Sequence, residues 1–204
     1  MKNIFTFYIL LLLGFFLNAQ NLKSPDNNLD LNFSIDEKGR AFYSLNFHDK
    51  PVILNSGLGF MLKDNVEWMK IDTLDMMNNF KILNVTFDSV DEYWNPVWGE
   101  ESEIRNNYNE MFVELQQIES ERKVNIRFRL FDDSLGFRYE FPLQEKLGSF
   151  IIIDEKTEFA MAGDHTAMWI PGDYDTQEYN YTTSKLSEIE QKSIEFKEEN
   201  VSMY

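Results

Sequence analysis

Short runs in which apolar and polar residues alternate recur along this chain, and they constrain its fold more than any other feature. The first run, from Leu29 to Ile35, places an apolar residue at every second position. A period of two residues is typical of a β-strand that buries one face. A second run, from Ala41 to Phe47, follows turn residues at Asp36 to Arg40, so we predict that the two runs form a hairpin.

Similar runs continue to residue 153, without a long amphipathic helix between them. Pro142 ends one of these runs, and we expect the last run to be a buried strand. This organisation favours an all-β antiparallel sandwich in a single domain, residues 20–204, over alternating α/β units. The further runs are Val52 to Leu54, Met111 to Leu115, Val124 to Leu130, Phe137 to Phe141 and Phe150 to Ile153.

Only the C-terminal part of the chain has a helical pattern. Ser184 to Glu199 favours a helix, with Ser187 and Glu190 spaced as a capping box. The polar residues that follow, Lys197 to Tyr204, contain no terminating signal. We therefore expect an unpaired tail or a chain that ends before its domain does.

The N-terminus resembles a signal peptide over residues 1–19. Lys2 precedes an apolar run from Ile4 to Leu17, which is shorter than the roughly 20 residues of a membrane-spanning helix. A small residue, Ala19, stands at the expected cleavage point. We predict an exported chain that begins at Gln20; the alternative is a retained N-terminal anchor.

Composition excludes several classes of function. The chain has 19 basic and 35 acidic residues, for a net charge of -16, so nucleic acid is not an expected partner. Without cysteine it has no disulfide framework. Its histidines, His48 and His165, are too few for a typical zinc site and belong to no recognisable nucleophile motif. We expect His48 to be a surface residue.

The segment from Gly163 to Tyr179, GDHTAMWIPGDYDTQEY, combines acids and aromatic residues in a loop-like stretch. Its oxygen ligands suit calcium, although their spacing does not match an EF-hand. A carboxylate pair for glycoside hydrolysis is conceivable there too, and the plainest alternative is a solvated acidic turn. The candidate ligands are Asp164, His165, Asp173, Asp175 and Glu178, and the candidate stacking residues are Trp169, Tyr174 and Tyr179.

A second segment, WNPVWGEE at Trp94 to Glu101, places indole rings beside acids. Such rings can stack on sugars while the acids bond hydroxyl groups. The more ordinary interpretation is that Trp94 and Trp98 plug an end of the sandwich and that Arg105 pairs with Glu100 or Glu101.

Several motifs, in this order, resemble the N-terminal region of glycoside hydrolase family 97, and most closely its periplasmic starch-utilisation α-glucosidases. The resemblance extends from Asn21 to Ile189, whereas Glu190 to Tyr204 fits poorly. The motifs are Ser24-Pro25-Asp26, WNPVWGEE, Ile104-Arg105-Asn106, Tyr108-Asn109-Glu110, FRLFDDSLGFRYEFP at Phe128 to Pro142, and the segment from Gly163 to Tyr179.

The resemblance implies a β-super-sandwich like that of galactose mutarotases, packed against a (β/α)₈ barrel that carries the catalytic carboxylates. No catalytic residue is therefore expected in this chain. Glu178 matches the calcium ligand that the family's N-terminal domain donates, with the other ligands in the barrel. Trp169 and Tyr174 are the expected contacts for an α-linked oligosaccharide. A stand-alone carbohydrate-binding module, a purely structural domain and the N-terminal domain of an α-galactosidase are the alternatives.

Overall fold

A computed structural model of the protein describes residues 19–64, 73–173, 178–194 and 201–202. Residues 1–18, nearly all of the predicted signal peptide, lie outside the described residues. In the described part of the chain, no helix has the length and apolar character needed to cross a membrane.

Almost all of the regular structure in the described residues is β-strand. One 3₁₀ turn, Leu186–Glu188, and one short helix, α1 (Ile189–Ser193), lie near the end of the chain. The strands are β1 (Gln20–Lys23), β2 (Leu29–Ile35), β3 (Ala41–Phe47), β4 (Lys50–Leu58), β5 (Phe60–Asp64), β6 (Thr73–Met76), β7 (Phe80–Trp94), β8 (Ile104–Gln117), β9 (Lys123–Leu130), β10 (Leu135–Glu140), β11 (Phe150–Glu155), β12 (Thr166–Trp169), β13 (Gly172–Asp173), β14 (Thr182–Lys185) and β15 (Val201–Ser202).

Two four-stranded antiparallel sheets form the body of the domain. The first sheet has the order β1-β2-β3-β4, and the second has the order β10-β9-β8-β7. The predicted hairpin is confirmed, because β2 pairs with β3 from Leu29 opposite Phe47 to Ile35 opposite Ala41. The third predicted run, Val52 to Leu54, belongs to the longer strand β4.

Aromatic and aliphatic side chains from both sheets fill the space between them. The ring of Phe128 in the second sheet lies 5.8 Å from that of Phe33 and 6.4 Å from that of Tyr43, both in the first sheet. All three side chains are fully buried. Burying one such side chain contributes roughly 1.5–3 kcal/mol. Every second residue of β9 is buried, as its alternation predicts. The predicted all-β antiparallel sandwich is confirmed.

A third sheet, with the order β11-β5-β6, packs beside β10. The ring of Phe60 in β5 lies 4.3 Å from that of Tyr139 in β10. The strand predicted at Phe150 to Ile153 is present as β11, but its predicted burial is wrong. Ile151, Ile152 and Ile153 are each nearly half exposed, because β11 lies at the edge of its sheet and pairs with β5 alone among the described strands.

The helix near the C-terminus begins later than predicted, because Ser184 and Lys185 belong to β14. The predicted capping box of Ser187 and Glu190 is wrong, because the Ser187 hydroxyl donates instead to Asp164, at 3.0 Å. Residues 195–200 of the predicted helix lie outside the described residues. The tail that we expected to be unpaired contains β15, which pairs with β13.

Candidate functional site

The segment from Gly163 to Tyr179 forms part of a two-stranded ribbon as well as a loop. β12 pairs with β14 from Thr166 opposite Lys185 to Trp169 opposite Thr182. The chain then passes through β13, and residues 174–177 lie outside the described residues. The structure thus places Trp169 and Glu178, whereas the predicted sugar contact Tyr174 lies outside the described part of the chain, as does Asp175.

Trp169 is half-buried and is oriented by a side chain of the neighbouring strand. Its indole N–H donates to the hydroxyl of Ser184 at 3.0 Å, and that hydroxyl donates to the carbonyl oxygen of Lys185 at 2.9 Å. The adjacent residue Met168 lies on the other face of the ribbon and is 73% exposed. The hydrogen bond to Ser184 therefore fixes the orientation of the Trp169 indole.

Asp164 closes the corner at the other end of the ribbon. Its carboxylate accepts hydrogen bonds from the backbone N–H and from the hydroxyl of Ser187, both at 3.0 Å. The pKa of the Asp164 carboxyl lies below its usual value, and the hydrogen bond from the backbone N–H of Ser187 is the largest cause. The Lys185 ammonium donates to the carbonyl oxygen of Asp164 at 3.1 Å. Asp164, a predicted metal ligand, is therefore hydrogen-bonded to Ser187 in this structure. The backbone of His165, another predicted ligand, forms hydrogen bonds with the backbone of Gly163 and Leu186.

Glu178 lies in an exposed position on the segment that leads into β14. A carboxylate is the hard oxygen donor that calcium prefers, so the residue suits the predicted metal. Calcium takes six to eight oxygens, and one carboxylate supplies at most two. Within the described ranges, no three acidic, histidine or cysteine side chains form a group that could hold a metal ion. Glu178 therefore fits a calcium site only as one ligand among several from elsewhere.

The hairpin of β7 and β8 extends beyond the rest of its sheet. β9 covers β8 only as far as Asn109, which lies opposite Leu130, whereas β7 and β8 remain paired as far as Trp94 opposite Ile104. We call the projecting part, residues 90–107, the arm. Its tip is closed by a hydrogen bond from the Asn95 side-chain amide to the carbonyl oxygen of Ser102, at 2.8 Å.

The arm corrects two expectations about the WNPVWGEE segment. Trp94 is 49% exposed and Trp98 is 88% exposed, so neither plugs an end of the sandwich, because the arm projects past the sheets. Arg105 does not pair with Glu100 or Glu101. Its guanidinium donates two hydrogen bonds to Asp91 across the arm, at 2.7 and 2.8 Å. These hydrogen bonds lower the pKa of the Asp91 carboxyl below its usual value and raise the pKa of the Arg105 guanidinium.

A largely apolar cavity of about 600 Å³ opens between the first sheet and β10. Leu45, Ile53 and Phe137 line it, together with Phe159, which is 58% exposed. Sequence reasoning missed this cavity, because its lining comes from distant segments that each have the pattern of ordinary core. Because Leu135 and Phe137 of β10, an edge strand among the described strands, line it, it is an opening at the side of the sandwich.

Comparison with known proteins places this architecture in a family. The family model described as glycosyl-hydrolase 97 N-terminal matches residues 22–201. A retaining α-galactosidase from Bacteroides thetaiotaomicron is 25% identical over a 187-residue alignment that covers 86% of this chain and 25% of that protein.

Solved structures of longer enzymes contain the same fold. A glycoside hydrolase family 97 enzyme from a Pseudoalteromonas species, solved in complex with panose and with acarbose, is 35% identical with a TM-score of 0.71, over 81% of this chain and 24% of that one. A β-arabinopyranosidase shares the fold at 23% identity and a TM-score of 0.64, over 77% of this chain and 23% of that one. This chain spans about a quarter of the length of these relatives. The chain belongs to glycoside hydrolase family 97, and it contains the N-terminal domain of that family.

Proposed function

We propose that this chain is the N-terminal, non-catalytic portion of an exported, calcium-dependent α-glycosidase that acts on starch-derived oligosaccharides in the periplasm. The observation that carries the proposal is the 35% identity to the family 97 enzyme from Pseudoalteromonas, which binds panose and acarbose. Panose consists of α-linked glucose units. The chemistry would be performed by carboxylates of a (β/α)₈ barrel, and this domain would support that barrel.

In this proposal Glu178 is the contribution of the domain to the metal. Its exposed position and its hard oxygen atoms support the role. Trp169 and Tyr174 would line the sugar site, with Trp169 held by its bond to Ser184 so that a ring face meets the sugar. The domain would thus orient groups at its border with the barrel.

An α-galactosidase is the second candidate, because the relative from Bacteroides is named as one. The identity to that relative is lower, at 25% against 35%. The two candidates differ in the sugar they release, so paired substrates separate them.

Calorimetric titration of the chain with calcium tests the role of Glu178. We expect weak binding or none, because one carboxylate is far short of a six- to eight-oxygen shell. Glu178→Gln should therefore leave the titration unchanged. Sub-micromolar calcium affinity that disappears in Glu178→Gln would show a complete site within this chain and would contradict the proposal.

Hydrolysis by the native polypeptide tests the whole proposal. An antibody against residues 20–204 would isolate that polypeptide from the periplasmic fraction of its source cells. We expect it to release glucose from panose, to lose this activity when a chelator removes calcium, and to recover it when calcium returns. In the native gene, Glu178→Gln should raise the calcium concentration needed for half-maximal activity at least about tenfold, whereas the control Glu190→Gln should not. Release of galactose from an α-galactoside instead would favour the second candidate.

A further inference from the structure

Cross-strand pairing sorts the residues of the arm onto two faces. Directly opposed residues share a face of a β-ribbon, and successive residues alternate between faces. Trp94, paired with Ile104, therefore lies on the same face as Glu92, paired with Asn106. Tyr93 lies on the opposite face. One face of the arm thus places an indole ring beside a carboxylate and an amide.

The carboxylate and the amide beside Trp94 are already ordered. The side-chain amide of Asn106 donates to Glu92 at 2.9 Å, which fixes both groups on the surface of the ribbon. The remaining oxygen of such a carboxylate can accept from a hydroxyl group, and the amide oxygen can do so as well. Trp94 is 49% exposed beside them, so a ligand at this face could contact the indole ring and these hydrogen-bonding groups at the same time.

The electrostatics of the arm select the class of ligand. From residue 90 to residue 107 the sequence contains five carboxylates and one cationic residue, Arg105. Asp91 holds that arginine through two hydrogen bonds. Phosphorylated, sulfated or carboxylated ligands would be repelled by this field. A neutral ligand rich in hydroxyl groups would not be repelled, and its hydroxyl groups could donate hydrogen bonds to the carboxylates of the arm.

The tip of the arm adds a second indole. Trp98 is 88% exposed and Val97 is fully exposed, in a loop that the bond from Asn95 to Ser102 closes. Large exposed apolar groups that cluster in this way mark interaction sites on soluble proteins. Aromatic faces and fixed polar groups usually line sugar-binding sites, and the arm contains both.

We infer that the arm binds a neutral oligosaccharide, which stacks on Trp94 and Trp98 and hydrogen-bonds the Glu92 and Asn106 pair. This contact lies on a different element from the ribbon that carries Trp169. The inference rests on the proposed function for the choice of an α-linked glucose ligand, whereas the ligand class follows from the charge and the rings of the arm.

Nuclear magnetic resonance titration of the chain with panose tests the inference. We expect millimolar binding, with shifts of the backbone signals of the arm and of the two indole N–H signals. Trp94→Ala and Trp98→Ala should each weaken the binding at least about tenfold, the change that corresponds to loss of about 1.4 kcal/mol.

Two variants serve as controls. Tyr93→Ala removes an aromatic ring that is 60% exposed on the opposite face of the arm, so it should leave the affinity unchanged. Trp169→Ala removes the ring of the ribbon and should also leave the arm signals responsive to panose. If the indole variants unfold, the shifts mapped on the unaltered chain still decide the matter.

Three results would overturn the inference. The first is the absence of any arm shift at millimolar panose. The second is binding that survives both Trp94→Ala and Trp98→Ala. The third is binding that Trp169→Ala alone abolishes, which would support the sugar contact of the proposed function while refuting that of the arm.

Discussion

Gly39 shows how a single residue joins the two sheets. It lies in the turn between β2 and β3 with φ of 68°, a left-handed conformation that costs other residues energy. A Cβ atom there would lie 2.6 Å from the carbonyl oxygen of Phe80, at the start of β7. The N–H of Phe80 donates to the carbonyl oxygen of Gly39 at 3.0 Å. The turn of the first sheet therefore touches the second sheet backbone to backbone.

Gly39→Ala should destabilise the domain, because it combines a strained φ with a clash against backbone. We expect the free energy of unfolding, measured by urea denaturation, to fall by about 3 kcal/mol. Gly136→Ala is the matched control, since a Cβ atom at Gly136 meets nothing within 4 Å. Equal effects of the two substitutions would show that the contact with Phe80 contributes nothing.

Asp164 gives the domain a stability that depends on pH. Its pKa is lowered in the folded protein, mainly by the N–H of Ser187, so the folded state favours the ionised carboxylate. This contribution to the free energy of unfolding is complete at a pH above the pKa of aspartate in the unfolded chain, about 3.9. It is lost as the pH falls through the lower pKa that Asp164 has in the folded protein. We expect the urea midpoint to stay level from about pH 7 to pH 5 and to fall below about pH 4. The fall should be smaller in Asp164→Asn, and an identical fall would contradict this role.

At the scale of elements, the outer face of the second sheet is organised by one buried carboxylate. Glu110 on β8 is 7% exposed and forms ion pairs with both Arg127 and Arg129 on β9. The guanidinium carbons of these arginines lie 4.4 Å from the ring centroids of Phe112 and Tyr108, respectively. Charge pairs and aromatic faces thus hold β8 and β9 in register on the side away from the core.

Glu110→Gln should lower the free energy of unfolding by about 2 kcal/mol, because it leaves two partly buried arginines without their shared negative charge. Thermal unfolding followed by circular dichroism measures this change. The control is Asp91→Asn, which removes an ion pair with Arg105 that is about half exposed on both sides, and which should leave the midpoint unchanged. A larger effect at Asp91 than at Glu110 would contradict the role of burial.

Alternation predicted the strands well, because each sheet of the sandwich buries one face and a period of two follows directly. The failures came from contacts between distant residues. Whether Trp94 is covered depends on where β9 ends, and whether Ser187 caps a helix depends on Asp164. The predicted role of Glu178 came from the family resemblance and not from spacing. No pattern within this sequence indicates ligands that other residues would supply.

At the scale of the whole molecule, the described chain is a sandwich with the arm, which extends beyond its sheet, and with a separate ribbon of β12 and β14. Exposed apolar residues lie on both, including Trp98 on the arm and Met168 and Tyr181 at the ribbon. The relatives are about 3.4 times as long, since the 81% of this chain that matches the Pseudoalteromonas enzyme spans 24% of that enzyme. In our account the ribbon meets the catalytic barrel, and the arm contacts sugar.

The mass of the native polypeptide tests the central claim most directly, namely that this domain works as one part of a longer glycosidase. An antibody against residues 20–204 would isolate the polypeptide from its source cells, and mass spectrometry would give its length and peptides. We predict a polypeptide about 3.4 times as long as this chain, because the matching 81% of this chain spans 24% of its relative, with peptides of a barrel domain. A native polypeptide of no more than 204 residues would contradict the account.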